Sequence, residues 1–185
     1  MEGDQDTSKS LICAVREGRV ERKRELVCSY GLSYSQAWAD GYVLLFYAVG
    51  YEHTEVAKLL LTNGAKVNIK TKKLRDTPLH IAARTGNIEI VQMLLDGGAN
   101  INAVNQYCIT PLHNAVKSKK METVELLLNQ GANVNARYID SKTPLHLAVE
   151  RGCERITKLL LSRAANVDAE GKGGGTYIHI AVERG

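Results

Sequence analysis

Apolar and polar positions follow a helical spacing along the chain, and the pattern repeats every 33 residues. Leu79, Ala82 and Ala83 recur at the three- and four-residue intervals of one helix face. After Gly86, a second apolar run covers residues 88–95 and stops at two glycines. The pattern predicts two short helices per unit, with Gly86 as the C-cap of the first, followed by a turn-rich extended connection.

The same four-residue motif precedes each first helix. Thr77-Pro78-Leu79-His80 recurs at residues 110–113 and 143–146 and, with tyrosine in place of proline, at 176–179. Threonine can cap a free backbone N–H, and proline fits the first helical position, where no N–H is needed. The motif therefore marks a helix start. No unit can enclose its own apolar face, so the units must stack.

With this motif at this period, the sequence resembles the ankyrin-repeat family over nearly all of its length. The resemblance implies an all-α ankyrin-repeat solenoid of stacked helix-turn-helix units with projecting hairpin-like loops. We divide the 185 residues into one domain with units at 7–40, 41–74, 75–107, 108–140 and 141–173 and a partial unit at 174–185. Charged residues 22–25 make the first unit a degenerate cap. The partial unit, which exposes Ile178, Ile180 and Val182, predicts a longer array.

Composition favours a helical core and a reducing compartment. The chain has one phenylalanine and one tryptophan, so aliphatic residues must build the core. No apolar stretch approaches the roughly 20 residues that cross a bilayer, and the acidic amino terminus is unlike a secretory signal. We therefore expect a cytoplasmic or nuclear location and no membrane insertion. Four cysteines without paired spacing predict free thiols: Cys13, Cys28, Cys108 and Cys153.

The sequence contains no constellation that predicts catalysis, a metal or a cofactor. Four histidines follow the repeat: His80, His113, His146 and His179. Stacked units lie roughly 10 Å apart, whereas zinc needs its ligands within about 2 Å. The resemblance implies instead that each histidine bonds the adjacent threonine and the neighbouring loop backbone. The glycine-rich segment 171–176 lacks Walker spacing and is interpreted as a loop. We expect a non-enzymatic protein.

The resemblance also implies a partner-binding surface, here called the concave face, made of the loop tips and the last turns of the first helices. The tips are predicted to be Tyr42, Lys73, Leu74, Asp76, Gln106, Tyr107, Ile109, Ile139 and Asp140. The helix ends are predicted to be Tyr51, Arg84, Lys117, Glu150 and Arg151. Exposed tyrosine and arginine are enriched in binding hot spots. The alternative is that Leu74, Ile109 and Ile139 pack on the neighbouring loop.

Two basic clusters lie near this face, at residues 70–75 and 117–120. An acidic protein segment fits them better than nucleic acid, because Asp140 and Glu150 interrupt any continuous basic groove. The predicted function is a monomeric protein-protein interaction module that binds an intracellular protein. An alternative is a regulatory or targeting segment of a larger enzyme, a ubiquitin-ligase adaptor or a membrane-associated protein. Nucleic-acid binding is the third and least favoured alternative.

Overall fold

The computed structural model describes residues 37–172 and 174–184. The chain forms nine α-helices in these two ranges. In chain order they are α1 (Ala37–Gly50), α2 (Thr54–Thr62), α3 (Pro78–Thr85), α4 (Ile88–Asp96), α5 (Pro111–Lys117), α6 (Met121–Asn129), α7 (Pro144–Glu150), α8 (Glu154–Ser162) and α9 (Tyr177–Arg184). Most of the unit predicted at 7–40 lies outside the described residues. Among the described helices, none combines the length and hydropathy needed to cross a bilayer.

The Thr-Pro motif begins helices as predicted. Thr77 has an extended backbone, and Pro78 occupies the first turn of α3. The backbone N–H of Thr77 donates to Nδ1 of His80 at 3.1 Å, which completes a reciprocal cap. The same arrangement begins α5 at Thr110 and α7 at Thr143. At the other end of α3, Gly86 has a φ of 91° and donates its N–H to the carbonyl oxygen of Ala82. The predicted C-cap is confirmed.

Helix α1 differs from the other first helices because it is longer. It spans 14 residues and begins at Ala37, ahead of the segment 43–46 that replaces the Thr-Pro motif. A proline at this position would restrict the residue before it to extended backbone and so would end the helix there. Without that proline, the helix continues upstream across the predicted boundary between residues 40 and 41. Tyr42 consequently lies within α1, so its prediction as a loop-tip residue is wrong.

The helices stack in two layers around one continuous apolar core. Helices α1, α3, α5, α7 and α9 contact one another in sequence and form the inner layer, and α2, α4, α6 and α8 form the outer layer. The core between the layers includes Leu45, Leu79, Ile90, Leu94, Leu112, Leu127, Leu145 and Leu160, all fully buried. Alanines on the inner helices, such as Ala82, Ala115 and Ala148, are also buried and let neighbouring backbones approach closely. This architecture is the all-α repeat solenoid expected from the sequence.

Asparagines in the connections join each unit to the next. Oδ1 of Asn68 accepts the backbone N–H of Asn100 at 2.8 Å, and Oδ1 of Asn102 accepts that of Asn133 at 2.8 Å. Asn135 repeats the contact to Asn166 at 2.7 Å. Each asparagine therefore satisfies a backbone N–H of the following unit. The ladder fixes how consecutive connections lie against one another and so sets the position of the loops beyond them.

Candidate partner-binding surface

Backbone hydrogen bonds join the tips of successive loops into one row. The N–H of Gln106 donates to the carbonyl oxygen of Leu74 at 3.0 Å. The N–H of Ile139 donates to the carbonyl oxygen of Tyr107 at 3.2 Å. The N–H of Lys172 continues the series with a 2.8 Å bond to the carbonyl oxygen of Asp140. The structure therefore brings together the predicted tip residues of three consecutive loops and adds Lys172, which the sequence analysis did not include.

Each loop closes in the same way, with a hydrogen bond that spans its turn. The N–H of Asn105 donates to the carbonyl oxygen of Ile109 at 3.1 Å, and Gly171 and Gly175 form the equivalent bond at 2.9 Å. In each loop, the residue two positions before the threonine that precedes the next inner helix has a positive φ. These residues are Arg75, Cys108, Ser141 and Gly174. The left-handed position turns the chain back toward the next helix. The shared turn explains why the tips occupy equivalent places in successive units.

The exposed apolar side chains of the row come from neighbouring loops. Tyr107 is 43% exposed and Ile139 is 59% exposed. Lys73 and Gln106 are also exposed, whereas Leu74, Ile109 and Asp140 are half-buried. Leu74 and Ile109 thus fit the packing alternative, at least in part. Ile139 does not, because most of its side chain faces solvent. Large apolar groups exposed side by side are typical of contact surfaces.

Asp76 is a correction to the predicted surface. Its side chain is only 6% exposed and accepts a 2.8 Å hydrogen bond from Nδ2 of Asn105. Oδ1 of Asn105 in turn accepts the backbone N–H groups of Tyr107 and Ile109, at 2.9 and 3.1 Å. Through Asn105, the buried Asp76 therefore holds the loop of Tyr107 in place, and its carboxylate is not available to a partner. Asn105 was not predicted from the sequence, because its partner Asp76 lies 29 residues away.

The ends of the inner helices place basic groups beside the row. Arg84, Lys117 and Arg151 are exposed at the ends of α3, α5 and α7. Glu150 is half-buried and forms an ion pair with Lys142. Hydrogen bonding to Glu150 raises the pKa of Lys142 above its ordinary value, so this lysine keeps its positive charge at neutral pH. Of the two charges predicted at the end of α7, only Arg151 remains without an ion pair in the described residues.

An aromatic pair marks the first described unit. Tyr51 is 49% exposed just beyond α1, and its ring stacks on that of Tyr47 with centroids 6.0 Å apart. The stacking limits the rotation of Tyr51 and leaves its outer side in solvent. Tyr138 behaves differently. It packs edge-on against His113, with centroids 5.3 Å apart, so its ring is not free to stack on a nucleic-acid base.

The buried repeated histidines bond the adjacent threonine as the resemblance implied, but Nε2 of His80 alone among the three bonds the neighbouring loop, since Nε2 of His113 and of His146 is buried without a hydrogen-bond partner. Nδ1 of His80 lies 2.8 Å from Oγ1 of Thr77, and the corresponding distances at His113 and His146 are 2.8 and 2.9 Å. Because Nδ1 accepts a backbone N–H, the neutral ring carries its proton on Nε2. Nε2 of His80 donates it to the carbonyl oxygen of Ile109 at 2.8 Å, which joins the unit to the next loop.

Burial keeps these histidines neutral. It lowers the pKa of His113 to about 4, although nearby backbone carbonyl groups of Lys142 and Ala136 act in the opposite direction. Burial also lowers the pKa of His80 and of His146. Within the ranges that the structure describes, no group of histidine, cysteine, aspartate and glutamate is arranged to hold a metal ion. Cys108 and Cys153 are free thiols, and Cys13 and Cys28 lie outside those ranges.

Charge is distributed unequally between the two layers. The outer helices expose more acidic than basic side chains, and the acidic ones are Glu55, Glu89, Asp96, Glu122, Glu125 and Glu154. The loop row and the inner-helix ends expose mainly basic ones, among them Lys73, Arg75, Arg84, Lys117, Arg151 and Lys172. Such a separation gives the loop row and the inner-helix ends an excess of exposed positive charge.

Comparison with known proteins agrees with this geometry. The chain is 34% identical over 107 residues to the ankyrin repeat and KH domain-containing protein mask of Drosophila melanogaster, which is 56% of this chain and 3% of that protein. It is 41% identical over 61 residues to human ankyrin repeat and SOCS box protein 11, which is 33% of this chain and 18% of that protein. It is 32% identical over 90 residues to palmitoyltransferase Hip14 of Drosophila melanogaster, which is 49% of this chain and 14% of that protein.

The chain thus spans less than a fifth of the length of each of these three relatives. The family model for ankyrin repeats in three copies matches residues 45–138 and 112–185, well over half of the chain. Ankyrin repeats are protein-interaction modules and are generally non-catalytic. The match, the Thr-Pro-Leu-His motifs and the paired helices together establish that this chain belongs to the ankyrin-repeat family.

Proposed function

We propose that this chain is a non-enzymatic interaction module that binds a protein partner through its concave face. The observation that supports this most directly is the hydrogen-bonded row of loop tips, on which Tyr107 and Ile139 are exposed on adjacent loops. Asp76 leaves the predicted contact set because it is buried, and Tyr42 is not among the loop tips because it lies in α1. The exposed basic helix ends complete the surface.

Rigidity of the loops is the proposed source of affinity. The Tyr107 loop is tied to the preceding loop through Gln106 and Leu74 and to its own base through Asn105. Loops held in this way lose little conformational freedom when a partner docks, so their contacts are offset less by ordering. As part of the same proposal, the module acts as a monomer in the cytoplasm or nucleus.

The proposal is tested by removing the two exposed apolar groups. A Tyr107→Ala, Ile139→Ala double variant is compared with an Ile88→Ala, Leu161→Ala control on the outer helices, where two apolar side chains are similarly exposed. Proteins captured from lysate by the native chain are identified, and the purified partner is then titrated against all three chains. We expect the first variant to lose about 1–3 kcal/mol of binding per true anchor and the control to bind normally.

Melting temperatures of the variants must match that of the native chain for this comparison to hold. Equal affinity of both variants would contradict the assignment of the concave face. Greater loss in the control would place the contact surface on the outer helices instead.

A second candidate role is that of a recruiting segment in a longer protein. The relatives favour it, since one of them is named for a SOCS box and another is a palmitoyltransferase, and the chain covers only 18% and 14% of those proteins. In this case the module would bring a partner to an activity located elsewhere. Sequencing of the full transcript tests this role, because the role requires a catalytic or adaptor domain in the same reading frame.

A further inference from the structure

A cleft of about 510 Å³ lies at the end of the loop row, between helices α7 and α9 and the glycine-rich loop 171–175. Its walls include Lys142, His146, Glu150, Arg151, Lys172 and Ile180. The volume falls within the roughly 300–1,000 Å³ that is usual for ligand pockets. From sequence alone the glycine-rich segment is only a loop between units, and the proposed contacts at Tyr107 and Ile139 do not use it.

The cleft has an excess of positive charge. Glu150, the acidic group of its walls, is already paired with Lys142. Arg151 and Lys172 are both exposed and form no ion pair with any described residue. His146 adds no charge at neutral pH, because burial lowers its pKa. Two cationic side chains therefore face a concave site without a counterion from the described chain.

Hydrogen bonds hold the described residues of the glycine-rich loop, 171–172 and 174–175, in place. Gly171 donates its N–H to the carbonyl oxygen of Gly175 at 2.9 Å, and Gly174 donates to that of Gly171 at 3.1 Å. The N–H of Lys172 is fixed to Asp140 in the preceding loop. Gly174 has a φ of 78°, which glycine adopts without strain. The backbone of Lys172 is thus positioned beside the cleft, and no side chain at Gly171 or Gly175 narrows the opening.

We infer that this cleft binds a carboxylate from an acidic segment of the protein partner. Arg151 and Lys172 supply the charge-assisted donors that a carboxylate needs. Ile180 offers an apolar wall for the methylene groups of a glutamate side chain. Glu150 disfavours a phosphate, because repulsion from its carboxylate grows with the charge of the ligand. The inference rests on the proposed function and specifies the chemistry that the concave face recognises.

The path of the partner follows from the loop row. The hydrogen bond between Lys172 and Asp140 makes the cleft continuous with the tips of the preceding loops. An extended segment that contacts Tyr107 and Ile139 would therefore reach the cleft by following the row. Exposed Lys73, Arg84 and Lys117 lie on the same face, so further acidic residues of the segment would also meet opposite charge.

The test uses the peptide acetyl-Glu-Glu-Tyr-Glu-Glu-amide as a probe for the native chain in an ¹⁵N NMR titration. We expect the largest shifts at the amides of Lys142, Arg151 and residues 171–175. An Arg151→Ala, Lys172→Ala variant should bind the peptide roughly tenfold more weakly. A Lys58→Ala, Arg155→Ala control on the outer helices removes the same two charge types and should bind as the native chain does. The amide spectra verify that both variants are folded.

Three parallel titrations distinguish the possible ligands. A peptide with lysine in place of glutamate should give no shifts at the cleft. Inorganic phosphate that shifts the same amides at lower concentration than the acidic peptide would overturn the carboxylate assignment. An oligouridylate that does so would assign the site to nucleic acid. Equal weakening by the control variant, or no response to millimolar peptide, would also overturn the inference.

The outcome separates the two proposals. If the peptide fails to bind the cleft while Tyr107→Ala, Ile139→Ala still abolishes capture, the interaction surface stands and the carboxylate site is wrong. If capture is insensitive to that variant, the proposed function itself fails.

Discussion

The buried histidines make stability depend on pH at the scale of single residues. His113 has a folded pKa of about 4, lower than the ordinary value of 6.5, so the unfolded chain takes up its proton first as the pH falls. Its contribution to the free energy of unfolding is therefore complete above about pH 6.5 and is lost as the pH approaches 4. A shift of this size corresponds to on the order of 3 kcal/mol. Protonation of Nδ1 would also remove the acceptor of the Thr110 N–H.

Urea unfolding between pH 7.5 and 4.5 measures this dependence. We expect the native chain to lose stability steadily below pH 6.5. A His113→Gln variant should be less stable at pH 7.5 but should lose less on acidification, because its side chain has no proton to gain. A variant that follows the same pH profile as the native chain would mean that other groups cause the loss.

Residues whose partners lie close in sequence could be predicted, and those with distant partners could not. The pairing of Thr77 with His80 spans three residues and was expected from the resemblance to the ankyrin-repeat family. The burial of Asp76 depends on Asn105, which belongs to the next unit. By spacing alone, a charged residue just before Thr-Pro is indistinguishable from an exposed loop tip. The pairing of Lys142 with Glu150 was missed for a similar reason, because it joins a loop to the end of the helix that follows it.

At the scale of elements, each outer helix is followed by a residue with a positive φ, and in one of the four units this residue is an alanine instead of a glycine. Gly64, Gly98 and Gly131 follow α2, α4 and α6 with a positive φ, and Ala164 takes the equivalent place after α8 with a φ of 58°. A left-handed alanine is strained by roughly 1–2 kcal/mol, partly offset by the lower entropy of its unfolded state. We therefore expect Ala164→Gly to raise the free energy of unfolding by about 1 kcal/mol.

Thermal and urea unfolding of two glycine variants would check this. Ala165→Gly is the matched control, because Ala165 is buried and is not among the residues with positive φ. That change should destabilise the protein, since it removes a packed methyl group and adds unfolded-state entropy. If both substitutions destabilise equally, backbone strain at Ala164 is not significant.

The helix starts show which elements were predictable. Wherever Thr-Pro is present, the predicted start agrees with the structure to the residue, because proline restricts the chain before it and threonine caps the helix. At α1 neither signal exists, and the helix begins at Ala37. The cleft beside α9 could not be found from sequence, because it arises where a loop, an inner helix and the following unit meet.

At the scale of the whole molecule, extensive packing is confined to neighbouring units, so stability is expected to vary along the stack. Each inner helix packs on the inner helix before and after it, and each outer helix does the same in its own layer. Under such nearest-neighbour coupling, a local defect near one end should unfold that end without unfolding the rest. Leu160 in α8 and Leu127 in α6 are both fully buried and offer matched positions for such a defect.

We expect each leucine-to-alanine change to lower the local free energy of unfolding by about 2–5 kcal/mol. The two changes should differ in how many neighbouring helices they destabilise. In Leu160→Ala, amide hydrogen exchange should accelerate in α7, α8 and α9, while α3 and α4 stay as protected as in the native chain. In Leu127→Ala, the loss should extend to both sides of α6, because α6 packs on an outer helix in each direction, whereas α8 packs on α6 alone among the described outer helices. Uniform loss of protection in Leu160→Ala would show that the units unfold as one cooperative body. The loop row, whose hydrogen bonds cross every unit boundary from Leu74 to Lys172, would then couple the units more strongly than helix packing alone.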